Sequence, residues 1–450
     1  MQLLRTQTVD RLAVTGADIF TDDRGKATVG RSPDRDVVRP VRLTREQRIR
    51  EAALLCFSES CAAPFAHTLN AEDWKRLLRW LDVSGLALYF LDRMTELDQR
   101  SSLPASVLSR LERSLDENRG RTYGLIEESV RLQRDFQSAG LSYAVMKGLS
   151  LCPVSVSRLE LRHQFDLDFL IASCDAPAAK EILALHGYTL FAISGRSWEF
   201  KKGQTPRVRR QDLYRDLPYR GVELHLEAAT PGTPTRLDRT AARELHGLTM
   251  PVLPPVDLFV AQALHASKDI ASAFLRASHL LEFYRHVLAQ RDDISFWEKL
   301  YLHAREDRRT CVAIGMSVYL ASSVWGNFAP QALTSWTVEQ LPPSVRLWLD
   351  LYGRAAALQV PPGNKRHLWL REELAGISSL AGVSRKPLLL PLNLPREVIQ
   401  PIPGETLSMR VARYRVQIHF VASRIRFHVL EGLRFLLESR RWNTLRSNLP

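Results

Sequence analysis

Two aspartates separated by one residue inside an apolar run constrain the fold of this chain more than any other feature. The run is Phe165-Asp166-Leu167-Asp168-Phe169-Leu170. Because side chains alternate between the two faces of a β-strand, a strand here directs Asp166 and Asp168 to the same face. Two like charges on one half-buried face are costly unless a cation pairs with them. The pattern therefore predicts a strand with a divalent metal ion beside it.

An apolar segment upstream of the two aspartates ends in a turn suited to phosphate groups. Its sequence is Val145-Met146-Lys147-Gly148-Leu149-Ser150, which indicates a strand followed by a Lys-Gly turn that opens a helix. Backbone N–H groups and the positive end of a helix bind phosphates. A turn for phosphates followed by an acidic pair for a metal predicts nucleotide chemistry.

The size and charge of the chain limit its fold and partners only broadly. At 450 residues it is long for a single hydrophobic core, and we expect two or three cores. The net charge of +13 permits binding to nucleic acid, nucleotides or acidic surfaces. A generic basic surface gives the same charge balance, so this alternative stays open.

The cysteines and the hydropathy pattern indicate a cellular compartment. The five cysteines, Cys56, Cys61, Cys152, Cys174 and Cys311, form no CxxC pair and no Cys/His metal spacing, which favours unpaired thiols in a reducing compartment. No apolar run reaches the roughly 18 residues of a transmembrane helix. The first residues lack the apolar core and cleavage site of a secretory signal. We therefore expect a cytoplasmic protein without a transmembrane segment.

The distribution of patterns along the chain predicts an α+β fold with four regions. Residues 1–40 show no periodicity and are interpreted as a mobile arm. Residues 41–140 have helical periodicity, residues 141–250 alternate between strands and helices, and residues 251–450 return to helical periodicity with a basic tail. We expect a small mixed sheet at 141–250, flanked by N-terminal and C-terminal helical regions.

Helix starts and ends in the N-terminal region have clear sequence signals. Thr44 with Gln47 three residues later forms a capping-box pattern, and a second helix start is expected at Asn70. A long amphipathic stretch begins at Pro104 and is expected to end at Gly140.

The expected sheet contains five strands and a helix. The strands are predicted at Leu141–Met146, Phe165–Ala172, Tyr188–Ile193, Trp198–Lys201 and Val222–Leu226, and the helix at Ala176–His186.

The last fifty residues combine positive charge with helical periodicity. They contain nine Arg and three Glu, a net charge of +6 by subtraction. Apolar residues recur in steps of three or four, including Val411, Tyr414, Ile418 and Ile425. The pattern predicts a helix with a core face and a solvated basic face; a docking surface for RNA or another acidic partner is the alternative.

Several short motifs together resemble a known family. They are Lys147-Gly148, Arg162 ahead of Asp166-Leu167-Asp168-Phe169-Leu170-Ile171, Gly187-Tyr188, and Glu223-Leu224-His225. In this order they resemble the uncharacterised bacterial nucleotidyltransferase family of the DNA polymerase beta-like nucleotidyltransferase superfamily. The resemblance covers residues 120–290 and is strongest from 143 to 190. It implies a small sheet, a Gly turn for the triphosphate, an Asp-x-Asp pair, and a third carboxylate on a neighbouring strand.

The resemblance assigns the metal ligands of a nucleotidyl transfer site. Such a reaction is an in-line displacement assisted by two cations that lie about 4 Å apart. Asp166, Asp168 and Glu223 are the expected ligands of Mg²⁺ or Mn²⁺, which prefer oxygen atoms. His225 is expected to orient Glu223 or to contact the substrate, and Glu227 is the reserve candidate for the third carboxylate.

The phosphates of an NTP substrate are expected to contact the Lys-Gly turn and its neighbours. Lys147, Gly148, Ser150 and Arg162 are the candidate binding residues. In the superfamily, the glycine of this turn is commonly followed by a second glycine or a serine, whereas in this chain Gly148 is followed by Leu149. Leucine resists a positive φ, so the turn has no second glycine to adopt one.

Two histidines downstream of the predicted sheet lie close to other charged residues. His265 and Lys268 share one face of a predicted helix, and Arg276 and His279 share a face of the next. We interpret both histidines as ordinary core or surface residues.

The sequence therefore predicts a Mg²⁺-dependent nucleotidyltransferase that moves a nucleoside monophosphate from an NTP to a hydroxyl acceptor. The acceptor classes that fit are an RNA end, a protein or peptide, and a small molecule. The alternative is a catalytically degenerate protein of the same fold that binds a nucleotide or a partner. A basic RNA-binding scaffold is a third, weaker hypothesis.

Overall fold

A computed structural model of the chain describes residues 43–59, 66–203, 212–228, 234–377, 389 and 406–449. The predicted mobile arm, residues 1–40, lies outside the described residues.

Within these residues, seven strands form one mixed sheet. The strands are β1 (Tyr143–Met146), β2 (Asp166–Ala172), β3 (Thr189–Ser194), β4 (Ser197–Lys202), β5 (Arg220–Glu227), β6 (Ala241–Leu245) and β7 (Leu248–Val252). Their order across the sheet is β3-β4-β5-β2-β1-β7-β6. Strand β2 pairs antiparallel with β1 and parallel with β5, so the strand that carries the two aspartates is central. The predicted mixed sheet of an α+β fold is confirmed.

The hairpin of β6 and β7 is absent from the sequence-based expectations. Its two strands are joined by His246 and Gly247, which both have positive φ (48° and 72°), as the two-residue turns of tight hairpins require. Its sequence gives a weak strand signal, because Pro251 cannot donate a ladder hydrogen bond and prolines are uncommon within strands. Pro251 lies within β7, whose following residue, Val252, pairs with Val145 of β1.

Fourteen helices are present among the described residues. They are α1 (Arg45–Leu55), α2 (Ala71–Val83), α3 (Ala87–Glu96), α4 (Ala105–Ser138), α5 (Ala176–Leu185), α6 (Pro255–Ile270), α7 (Ala277–Ala289), α8 (Ile294–Ala304), α9 (Arg308–Trp325), α10 (Gln331–Thr334), α11 (Pro343–Trp348), α12 (Arg354–Ala357), α13 (His367–Ile377) and α14 (Leu407–Ser447). The capping box predicted at Thr44 is present, and the helix start predicted at Asn70 is confirmed, with Asn70 and Asp73 forming a second capping box there. The long helix α4 ends as predicted just before Gly140, which has a φ of 67°.

The two faces of the sheet contact different parts of the hydrophobic core. On one face, Leu167, Phe169 and Ile171 of β2 pack in a cluster with Phe136 of α4 and Leu183 of α5. The other face carries the aspartates and is directed towards the C-terminal helices; there, Leu170 of β2 is buried in a separate apolar cluster. The alternation of β2 therefore separates a packing face from a chemical face.

Helix α14 forms as predicted, but its apolar stripe is not a core face. Val411, Ile418 and Ile425 are 60%, 68% and 59% exposed. The helix is attached further along, where Trp442 is buried and stacks on Trp369 with ring centroids 5.5 Å apart. The prediction of a core face was wrong because spacing defines an apolar stripe but not what lies against it.

Candidate active site

The register of β2 and β5 brings the predicted acidic residues side by side. In this parallel pair Asp168 lies opposite Glu223, and Leu170 lies opposite His225. Asp166, two residues before Asp168, shares its face of the sheet. Two adjacent strands thus bring together carboxylates that are more than fifty residues apart in sequence.

The ammonium group of Lys147 lies between the two carboxylates. Its Nζ atom is 2.7 Å from Oδ1 of Asp168 and 3.4 Å from Oε2 of Glu223. The Nε2 atom of His225 lies 3.2 Å from Nζ of Lys147 and 3.2 Å from the same Asp168 oxygen. Ser197, at the start of β4, donates its hydroxyl to the other oxygen of Glu223. These side chains form one connected polar network on the chemical face.

The network shifts the pKa values of Lys147, His225 and Glu223 towards their charged forms. Burial opposes the charge of Lys147, but Asp168 and Glu223 outweigh it and raise the pKa of the ammonium. Burial likewise opposes a charged His225, whose pKa is nevertheless raised by its hydrogen bonds to Asp168 and Glu223. The hydrogen bond from His225 is the main cause that holds the pKa of Glu223 well below its usual range. Opposite charges on Lys147, His225 and Glu223 therefore stabilise one another within the site.

Asp166 differs from the other two acids. It is exposed to the cleft, whereas Asp168 is 5% exposed. Partial removal from water and then repulsion by Asp168 raise the pKa of Asp166 to about 6. A carboxylate whose charge is disfavoured in this way gains most from an added cation.

The donor set at this position suits a divalent cation. One oxygen each from Asp168 and Glu223 and a ring nitrogen of His225 lie within 4.8 Å of one another. The ammonium of Lys147 lies against the same atoms, which indicates a local preference for positive charge. Mg²⁺ takes one or two carboxylates and otherwise waters and phosphate oxygens, which matches Asp168 and Glu223 with Asp166 beside them.

Of the two candidates for the third carboxylate, the structure brings only Glu223 to the aspartates. Glu227, at the end of β5, accepts hydrogen bonds from the side chain of Arg236 at 2.6 Å and from the backbone N–H of Leu237 at 3.3 Å. It therefore stabilises the segment that follows β5.

The Lys-Gly turn has a backbone conformation that the sequence did not predict. Lys147, and not Gly148, adopts the positive φ, with φ 48° and ψ −144°. These backbone dihedral angles are normally adopted only by glycine, and in another residue they cost on the order of 1–3 kcal/mol of stability. Gly148 lies against the side chain of Gln164: a Cβ atom at position 148 would lie 2.2 Å from the Gln164 amide, which would have to move. Leu149 therefore does not need a positive φ; only a single turn of 3₁₀-helix follows, at Gly148–Leu151.

Two of the predicted phosphate contacts have other partners. The hydroxyl of Ser150 is buried and donates to the carbonyl of Lys147 at 2.7 Å, which stabilises the turn. The guanidinium of Arg162 donates to Glu282 of α7 at 3.1 Å and to the side chain of Gln164 at 3.3 Å. Both residues stabilise the wall of the site, and their contact with a phosphate stays a prediction.

A cleft of about 940 Å³ opens in front of the chemical face. Its sheet side includes Lys147, Asp166, Glu223 and His225. Its opposite side is formed by residues of α6, α9 and α13: Ala261, Leu264, His265, Ser267, Lys268, Arg309, Val312, Ala313, Met316, Arg371, Leu374 and Ile377. The volume accommodates a nucleotide together with part of a second molecule.

Sequence reasoning missed several residues of this site. Ser197 contacts Glu223 only because β4 pairs with β5, and Gln164 fits against Gly148 only in three dimensions. Arg309 and Arg371 line the cleft from helices distant in sequence. None of these four has a local motif, so only the tertiary fold identifies them.

Comparison with protein-family models gives a match. A family model described as "Uncharacterised nucleotidyltransferase" matches residues 70–326, which is more than half of the chain. The matched segment begins at the N-cap of α2, contains the whole sheet, and ends just after α9. No curated protein is significantly similar to the chain.

Proposed function

The chain belongs to the uncharacterised nucleotidyltransferase family, and on that premise we propose that it moves a nucleoside monophosphate from an NTP to a hydroxyl acceptor. The observation that carries the proposal is the pairing of β2 with β5. That pairing sets Asp168 opposite Glu223 on the chemical face, with Asp166 beside them. Family membership by itself supports nucleotidyl transfer in general, and the Mg²⁺ dependence and the hydroxyl acceptor are our proposals.

Asp166, Asp168 and Glu223 are the proposed ligands of Mg²⁺ or Mn²⁺. When bound, such ions would neutralise phosphate oxygens and lower the pKa of an attacking hydroxyl. The exposure of Asp166 supports a direct contact with an ion that also binds the nucleotide. His225 and Ser197 hold Glu223 through hydrogen bonds, so its carboxylate is oriented before any ligand enters.

The triphosphate is proposed to bind beside the Lys-Gly turn. Lys147 lines the cleft and carries a stabilised positive charge, which suits a phosphate oxygen. Gly148 and Ser150 shape the turn that presents it, and Arg162 adds positive charge from behind. When a nucleotide and its cation enter, the cation would replace Lys147 as the partner of Asp168 and Glu223. The ammonium group of Lys147 would then contact a phosphate.

The acceptor is proposed to occupy the helical side of the cleft. Lys268, Arg309 and Arg371 give that side a positive charge, which favours an acceptor that carries phosphate or carboxylate groups. An RNA end, an acidic protein or peptide segment, and an anionic small molecule all fit this chemistry. We place this activity in the cytoplasm, where NTPs are available. No described helix has the length and apolar content needed to cross a membrane.

The direct test is transfer of label from α-³²P NTPs. The protein is incubated with Mg²⁺, each NTP, and separately with total RNA, a protein extract and a small-molecule extract. We expect label in one acceptor fraction, and loss of transfer in the Asp166→Asn plus Asp168→Asn variant. Asp116→Asn is the matched control, because Asp116 is an exposed helix residue paired only with Arg119 among the contacts described. Undiminished transfer by the double variant would refute the metal assignment.

One observation favours the alternative of a degenerate nucleotide-binding protein. Lys147 already neutralises Asp168 and Glu223, and an ammonium ion in that position can substitute for a metal ion in a fold that has lost turnover. Calorimetry with each NTP, with and without Mg²⁺, separates the two functions. Binding of an NTP without transfer in every acceptor mixture supports the degenerate protein, whereas binding accompanied by transfer supports the enzyme.

A further inference from the structure

A second group of metal-ligating side chains lies where α6 and α7 meet. It consists of His265 and Asp269 on α6 and His279 on α7. A ring nitrogen of each histidine and a carboxylate oxygen of Asp269 all lie within 4.8 Å of one another. Nδ1 of His279 is 2.7 Å from Oδ2 of Asp269, and the two imidazole rings have centroids 4.6 Å apart.

The fold provides this arrangement by helical geometry. Residues four apart lie on the same face of a helix, so His265 and Asp269 project together towards α7. A pair of ligands at this spacing with a third from a neighbouring element is the arrangement used by helical metal sites. Both helices are well packed, with Phe259 of α6 in contact with Phe283 of α7, so the ligands have rigid supports.

The surroundings of His265 leave it available to a ligand. Within the described part of the chain, its ring forms no hydrogen bond, although His279 and Asp269 bond to each other beside it. His265 also lines the cleft, whereas the side chains of His279 and Asp269 are only 13% and 16% exposed. An ion held here would have two partly buried ligands behind it and the open cleft in front.

Apart from His225 in the site on β2 and β5, which also belongs to such a group, two other histidine–carboxylate pairs in the described part of the chain lack a third ligand. His186 lies 2.6 Å from Asp135 at the surface, and His303 lies 3.5 Å from Asp257. Neither pair belongs to a metal-sized group of three among the described residues. The His265 group is therefore distinguished from ordinary histidine ion pairs by its geometry.

We propose that His265, Asp269 and His279 bind one divalent transition-metal ion of the Zn²⁺ class, at a site separate from the carboxylates of β2 and β5. Two imidazole nitrogens favour Zn²⁺ and related ions over Mg²⁺, which prefers oxygen ligands. Ligand atoms around Zn²⁺ lie about 3.3 Å apart, given bonds of about 2.0 Å, so only small side-chain movements are needed. Three protein ligands leave one position open, and that position faces the cleft.

The open position gives the ion a function as a binding point for an anionic or hydroxyl-bearing molecule in the cleft. The identity of that molecule rests on the proposed function. The binding of the metal ion does not depend on the proposed function. The proposal therefore has a test that needs no turnover.

The test is the stoichiometry of Zn²⁺ in the tag-free, full-length chain, measured by equilibrium dialysis and metal analysis. To remove binding at β2 and β5, it is done in an Asp168→Asn plus His225→Asn background. We expect one tightly bound Zn²⁺ per chain, and its loss when His265→Asn and His279→Asn are added. His186→Asn is the control for loss of a surface histidine, and it should retain the ion. Co²⁺ is the second probe, because its visible absorption reports low-coordinate nitrogen and oxygen ligands.

The outcomes decide the proposal in both directions. A bound ion that disappears with His265→Asn plus His279→Asn, together with a Co²⁺ spectrum that disappears in the same variant, supports the site. No stoichiometric binding, or binding that both substitutions leave unchanged, overturns it. Thermal unfolding of each variant without metal shows whether the fold is retained. If the His265→Asn plus His279→Asn variant is unfolded, the test uses His265→Gln alone. Unchanged Zn²⁺ affinity in His265→Gln also overturns the proposal.

Discussion

The Nζ atom of Lys147 lies 2.7 Å from Oδ1 of Asp168, in the position that a cation would take between Asp168 and Glu223. The ion pair couples the backbone turn to the central strand of the sheet. It also means that a metal ion and Lys147 compete for the same carboxylates.

This competition predicts how Lys147→Ala changes the response to Mg²⁺. The variant leaves Asp168, which is 5% exposed, without its ammonium partner, and we expect a loss of about 1–3 kcal/mol in the free energy of unfolding. Mg²⁺ should then raise the melting temperature of the variant more than that of the unsubstituted protein, since it replaces the lost charge. Differential scanning calorimetry over a Mg²⁺ series measures both effects. Lys180→Ala, on the exposed side of α5, should change neither; an equal Mg²⁺ response in all three proteins would contradict the competition.

A second substitution at the same residue isolates its backbone strain. Lys147→Gly and Lys147→Ala both remove the ammonium, but only glycine tolerates φ 48° and ψ −144° without a steric penalty. We expect Lys147→Gly to be more stable than Lys147→Ala by about 1 kcal/mol, despite the greater entropy of glycine in the unfolded chain. Urea unfolding of the two variants measures the difference. If alanine is the more stable of the two, Lys147 does not have a strained backbone in solution.

The parts of the fold that follow from local patterns were predictable from the sequence. The alternation of Asp166 and Asp168 with apolar neighbours gives the correct strand and the correct chemical face. Capping residues such as Asn70 mark helix starts because their hydrogen bonds are local. The Val222–Leu226 pattern likewise identified the strand that carries Glu223.

What depends on tertiary contacts was not predictable. The burial of Ser150 depends on the path of the chain after the turn, and the pairing of Arg162 with Glu282 joins residues 120 apart in sequence. The exposure of Ile418 is equally non-local, because the same spacing describes a buried and an exposed stripe. The position of a positive φ at Lys147 contradicts residue preference and is maintained by its surroundings.

The close approach of Gly148 to Gln164 predicts a non-additive pair of substitutions. A Cβ atom at position 148 displaces the Gln164 amide, which donates to the carbonyl of Asp166 at 2.6 Å and accepts from Arg162. We expect Gly148→Ala to cost about 1–2 kcal/mol through these hydrogen bonds. Adding Gln164→Ala should cost little more, because the contacts are already lost. A double-mutant cycle by urea unfolding tests this, and full additivity would show that Gln164 is not the group displaced.

A buried histidine predicts part of the pH dependence of stability. Burial lowers the pKa of His286 to about 4, and its Nδ1 atom lies 2.8 Å from the amide oxygen of Gln262. The folded-state pKa lies below the unfolded value of about 6.5, so the folded state binds fewer protons between the two values. The contribution to stability is complete above about pH 6.5 and is lost as the pH falls towards 4. It amounts to about 3 kcal/mol, from about 1.4 kcal/mol per pKa unit.

The measurement is urea unfolding from pH 7.5 to 4.5 for the unsubstituted protein and for His286→Gln. We expect the variant to lose less stability on acidification, since glutamine does not titrate. His186→Gln, which removes a histidine paired with Asp135 outside the core, is the control for the loss of an imidazole. Parallel pH curves for His286→Gln and the unsubstituted protein would show that His286 is not a buried neutral group.

The contrast between the two parts of α14 predicts where that helix contributes to stability. Trp442 is 1% exposed and stacks on Trp369 with an interplanar angle of 11°, while Ile418 is 68% exposed. We expect Trp442→Ala to cost about 3–5 kcal/mol, because it removes a large buried side chain and leaves a cavity beside Trp369. Ile418→Ala should change the free energy of unfolding by less than about 0.5 kcal/mol. Denaturant unfolding measures both, and trypsin cleavage near Arg440 should increase only in Trp442→Ala. A comparable loss in both variants would mean that the apolar stripe around Ile418 is covered in solution.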